Sequence, residues 1–203
     1  MELSIKKVTK GRVLARAAEA ICASVISLAI FPDTVNSAEP ALTAPEVEVI
    51  GNYDIGIGIW GAQLRAPAIW VLPVTFPLVM SFGGILGGFS VPIPGIEVGI
   101  ALSAIVLGAM VAFAVRPPLW IAGVIVGVFA IFHGYAHGAE LPESANAISF
   151  AMGFVIATGS LHALGILIGV INKWKAGEKC LRAVGVLISL CGGYFLISRF
   201  IGG

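Results

Sequence analysis

Residues Trp70–Leu141 read WVLPVTFPLVMSFGGILGGFSVPIPGIEVGIALSAIVLGAMVAFAVRPPLWIAGVIVGVFAIFHGYAHGAEL. Glu97, Arg116 and Glu140 are the charged residues of this stretch. Prolines break it at Pro92–Pro94 and at Pro117–Pro118. Three apolar runs result: Pro67–Gly88, Ile93–Val115 and Pro118–Leu141. A helix needs about 20 apolar residues to cross the ~30 Å of bilayer hydrocarbon, and each run reaches that length. Two further runs follow, Ala145–Ile171 and Cys180–Ile201. A weaker one precedes, Val49–Leu64, which holds Asn52 and Asp54. The connections between runs are short and leave no room for a domain outside the membrane. The sequence therefore predicts an all-α fold, a polytopic transmembrane helix bundle of about six spans.

Composition excludes the alternatives. Of 203 residues, 58% are hydrophobic and 11% charged. Mean hydropathy is +1.01. A soluble domain carries about 25% charged residues, so this chain cannot cover a water-facing surface. Disorder requires low hydrophobicity and is excluded by the same numbers. A net charge of +1 gives no footprint for nucleic acid. The cysteines form no CxxC pair.

The N-terminus has the pattern of a signal peptide. Lys6, Lys7, Lys10 and Arg12 precede a short apolar run, Ala20 to Phe31. A polar stretch follows, and Ala38 stands where a cut would fall. The expected organisation is a signal peptide over 1–38, or an uncleaved anchor. A short polar extracytoplasmic segment over 39–48 and the helix bundle over 49–203 complete it.

Basic residues set the orientation. Arg65 follows the first run, Arg116 ends the third, and Lys173, Lys175, Lys179 and Arg182 cluster between the fifth and sixth. With six spans these fall on one side, which is expected to be cytoplasmic. The connections near Phe89 and Pro142–Ala145 carry no Lys or Arg. The mature N-terminus then lies outside a cytoplasmic membrane, in agreement with signal cleavage. Glycines spaced by four, such as Gly84/Gly88, Gly123/Gly127, Gly134/Gly138 and Gly165/Gly169, predict close helix packing.

Ionisable groups inside spans are costly and usually mark a site or a pathway. His133, His137 and Glu140 lie at i, i+4 and i+7. At about 100° per residue they share one helix stripe. Two imidazoles and a carboxylate suit nickel, cobalt, zinc or iron. The alternative is a histidine cluster that hydrogen-bonds helices together. Glu97, one turn into its span, and His162, deep in the fifth, are candidates for a pathway continuing from this stripe. An interfacial carboxylate and an interhelical hydrogen bond are their respective alternatives. Asp54 could line the outer mouth or sit as a helix-start carboxylate. Nothing resembles GxxxxGK[ST], HExxH or CxxCH, so neither a nucleotide-driven pump nor an enzyme is expected.

The run FHGYAHGAELP (Phe132–Pro142) resembles the signature of the HupE/UreJ family of hydrogenase and urease accessory membrane proteins. WGAQL (Trp60–Leu64), WVLPVTFPLVMSFGG (Trp70–Gly84), PIPGIEVGIALSAIVLGA (Pro92–Ala109) and FAVRPP (Phe113–Pro118) extend the resemblance. It implies a permease of the bacterial inner membrane, in contact with lipid, that carries nickel or cobalt for hydrogenase or urease maturation. Its partners would be the metal ion and maturation factors, with no permanently bound cofactor. A non-transporting accessory protein is the alternative. His133, His137 and Glu140 match the family's second motif. The earlier motif, HPxxGxDH, is absent: no His precedes His133. Counted back from Trp60, its Asp-His pair falls at Val49-Ile50, so Asp54 is out of register.

Overall fold

A computed structural model of the chain describes residues 44–141 and 146–201. Over these residues six α-helices follow one another. They are α1 (Ala44–Leu64), α2 (Ala68–Gly88), α3 (Ile96–Ala112), α4 (Leu119–Ala139), α5 (Ala147–Gly169) and α6 (Lys175–Ile201). A 3₁₀ turn, Val170–Lys173, joins the last two. The fold is an all-α bundle with several apolar spans. Among the described residues Ala68–Gly88, Leu119–Ala139, Ile148–Lys173 and Lys175–Phe200 are long and apolar enough to cross a membrane, and Ile96–Ala112 is a shorter apolar helix. The expected signal segment, residues 1–38, lies outside the described residues. Helix α1 starts at Ala44, inside the stretch read as a polar lead-in.

Local signals explain the helix limits. Asn146 caps α5, its Oδ1 accepting from the backbone N–H of Ile148 and Ser149, both at 3.0 Å. Helices α2 and α3 end with Ser90 (φ 52°) and Ala114 (φ 50°) in the left-handed conformation. Val91 N–H then reaches Leu86 O at 3.0 Å, and Val115 N–H reaches Met110 O at 2.9 Å. These six-residue closures satisfy carbonyls that a helix end leaves orphaned.

The helices associate as three close pairs that are not neighbours in sequence. Gly83 and Gly87 of α2 lie on the backbone of Ile131 and Tyr135 in α4, and Gly134 and Gly138 of α4 lie on Met80 and Gly84 of α2. Gly58 of α1 and Gly165 of α5 face each other's helix at the His162 and Ile55 carbonyls. Gly108 of α3 with Gly185 and Gly192 of α6 join the third pair. In lipid no hydrophobic effect drives helices together, so backbone proximity and dispersion supply the attraction.

Side chains fill the space between pairs. The WGAQL segment locks α1 to the end of α3. The buried Trp60 donates Nε1–H to Val115 O at 2.9 Å, and Gln63 donates from Nε2 to Val111 O at 3.2 Å.

Candidate functional site

Phe76 of α2 packs edge-on against two imidazoles. Its ring centroid lies 5.6 Å from that of His133 on α4 and 5.4 Å from that of His162 on α5. His133 stacks on Tyr53 of α1, with centroids 4.6 Å apart and planes at 24°. Its Nδ1–H donates to Phe129 O at 3.0 Å, one turn back in its own helix. That bond fixes the tautomer and leaves Nε2 as a lone-pair donor. Beside His162, Asp54 of α1 brings Oδ1 to 3.7 Å from Nε2.

His133, His162, Tyr53 and Asp54 are all buried. Seven buried side-chain atoms among the described residues have no hydrogen-bond partner. They are Tyr53 OH, Asp54 Oδ1, Gln63 Oε1, Nε2 of His133 and His137, and both nitrogens of His162. An unsatisfied buried polar group costs about 1–3 kcal/mol. Tyr53 and His133 are in ring contact, and Asp54 faces His162, so four of these residues fall into two neighbouring pairs.

His137 lies one turn along α4, its ring centroid 4.2 Å from that of Phe154 on α5. It lines a half-open cavity of about 470 Å³ between α2, α4 and α5. Apart from His137, the described residues of its wall carry no titratable side chain. Glu140 caps α4 as a half-buried residue, its backbone N–H on Ala136 O at 3.2 Å. The stripe thus runs from the helix end, past a cavity, into the core.

The stripe is a ladder rather than a closed chelate. Among the described residues no three His, Cys, Asp or Glu side chains converge on one metal position. His133 turns to Tyr53 and His137 turns to Phe154, one towards α1 and the other towards α5. Glu97 stands apart from the imidazoles, ion-paired with Arg199 between α3 and α6. Tyr53 escaped the sequence reading, Gln63 appeared there only within WGAQL, and Asp54 only as a mouth or helix-start residue. The available signal for Asp54 was its place in mid-run, where a carboxylate demands a partner.

The sequence pattern of the family described as "HupE / UreJ protein" matches residues 54–195. The chain belongs to the HupE/UreJ family. It is 39% identical over 143 residues to Protein HupE of Rhizobium leguminosarum bv. viciae, across 70% of this chain and 75% of that protein. No solved structure matches. The HupE/UreJ match begins at Asp54 and spans all three histidines.

Proposed function

We propose that this chain is a permease for a divalent transition metal, nickel or cobalt, rather than an enzyme. The observation that carries the reading is the succession of imidazoles with unpartnered Nε2 atoms on one stripe of α4: His137 on a cavity, His133 in the core. Neutral imidazole nitrogen suits these borderline ions. Family membership supports the same reading and brings hydrogenase or urease maturation as the client. The ion is captured at His137 and Glu140, and passes to His133 by exchange of ligands. Glu97, held by Arg199, stands at the same end of the bundle as Glu140 and could join the pathway only by leaving that ion pair; His162 lies further along the route. The six helices cross the bacterial inner membrane with Arg65, Arg116 and the Lys173–Arg182 cluster inside and the mature N-terminus outside. A ladder of few ligands fits transit, since a conducted ion must bind weakly enough to leave.

A second reading, a membrane accessory protein that binds metal without moving it, is favoured by the absent HPxxGxDH motif. Radioactive nickel accumulation separates the two. Cells lacking their own nickel permeases would express this chain, the His133→Ala plus His137→Ala variant, or an empty vector at matched membrane levels. Uptake above vector that vanishes in the variant supports the permease. Uptake equal to vector by inserted wild type overturns it, and metal binding by that inactive protein selects the accessory reading.

A further inference from the structure

We propose that Asp54 and His162 form a second cation-binding station inside the bundle, separate from the α4 stripe. The inference rests on the permease reading for its physiological sense, but its geometry stands alone. The Asp54 and His162 side chains are 3% and 1% exposed. Oδ1 and Nε2 stand 3.7 Å apart, too far for a hydrogen bond. Neither atom has another hydrogen-bond partner.

That spacing suits two ligands of one ion. Metal–oxygen and metal–nitrogen bonds of about 2.1 Å place two ligands about 3.0 Å apart at a right angle, about 3.4 Å at a tetrahedral angle and about 4.2 Å when opposed. The observed 3.7 Å falls inside this range.

The separation is held by backbone rather than by flexible side chains. About one turn further along both helices, α1 and α5 meet through glycine. A Cβ on Gly58 would strike the His162 carbonyl, and one on Gly165 would strike the Ile55 carbonyl. Asp54 and His162 therefore belong to one rigid helix pair, while His133 and His137 belong to another. Phe76 stands between the two sets, against both His133 and His162.

The chemistry selects the class of ligand. One carboxylate oxygen and one neutral imidazole nitrogen suit a divalent transition ion completed by water. Such an ion also compensates a carboxylate that is costly within a span. Among the described residues no third His, Cys, Asp or Glu joins the pair. Two protein ligands hold an ion loosely enough to release it.

The test uses the purified full chain in detergent, titrated with Co(II) or Ni(II) in equilibrium dialysis. The His133→Ala plus His137→Ala background removes the imidazoles of the α4 stripe. We expect this variant to retain one bound ion per chain. Adding Asp54→Asn, which keeps size and shape, should weaken that binding at least 10-fold. Adding His162→Gln instead should do the same. X-ray absorption of the retained ion should report one imidazole nitrogen among oxygen ligands. Elution volume and helix content confirm that each variant is folded. Unchanged affinity on adding Asp54→Asn overturns the station, as does a background variant that binds no ion. Failure of the permease reading registers separately, as nickel uptake that persists without His133 and His137.

Discussion

Gly134→Ala should destabilise the bundle, whereas Gly123→Ala on the same helix should not. A Cβ on Gly134 would sit 2.8 Å from Met80 C and 2.9 Å from Gly84 N, with the Met80 carbonyl oxygen closer still. All of these are backbone atoms of α2 and cannot turn aside. Ordinary contact begins at 3.4 Å; the carbon alone demands that α2 and α4 part by roughly 0.6 Å, and the nearer oxygen demands more. A gap of about 0.5–1 Å forfeits a quarter to a half of each dispersion contact it opens. Gly83, Gly87 and Gly138 share the same seam and lose contact together. Overpacking of this kind costs about 1–3 kcal/mol, or about 5- to 150-fold in the folding equilibrium. Gly123 has nothing within 4 Å, and its alanine variant should stay within about 0.5 kcal/mol of wild type. Unfolding by a denaturing detergent, followed by circular dichroism of the helices, measures both. Equal stability of the two variants would refute the backbone seam.

Four further outcomes are expected. Ala114→Gly should stabilise by about 1 kcal/mol, because Ala114 pays the left-handed strain that glycine avoids; the same titration reads it, and a loss would contradict the cap. Trp60→Phe should cost roughly 0.6–1.5 kcal/mol by removing the Nε1–H bond to Val115 O, and no change would mean that this bond is idle. Nickel uptake should fall when excess cobalt is added to the outer medium, since both ions suit the same imidazole nitrogens; uptake indifferent to cobalt would point to a nickel-selective route instead. Asn146→Ala should cost about 0.5–2 kcal/mol and fray the start of α5, seen as faster amide exchange there.

Much of the fold was legible because membrane spans announce themselves by length and composition alone. The runs around Trp70–Leu141 became α2, α3 and α4 with limits shifted by a few residues. The spacing-by-four rule found Gly134/Gly138 and Gly165, yet it also marked Gly123, which faces open space. Gly83 and Gly87, which make the α2 side of the seam, were not among the pairs it selected. Spacing identifies a helix face but not which helix lies opposite. The site divides in the same way. His133 and His137 fall on one helix, so periodicity alone joins them. Asp54 and His162 are brought together by helices far apart in sequence, and no local pattern encodes that approach. WGAQL was readable as a motif, while its work of gripping the end of α3 needed the fold.

The pairing of α1 with α5, α2 with α4 and α3 with α6 bears on how the chain is made. Helices leave the ribosome in order, and of these three pairs only α2 with α4 can form before α5 has been synthesised. Helix α1, which carries Tyr53 and Asp54, must wait through three more helices for the groove that receives Gly58. The Gly108 face of α3 has no partner until α6 is made. A nonsense codon ahead of Lys175 would therefore do more than delete one span: the Gly108 face of α3 would meet lipid, and a nascent product with every histidine already in place would remain unassembled and open to quality-control proteolysis.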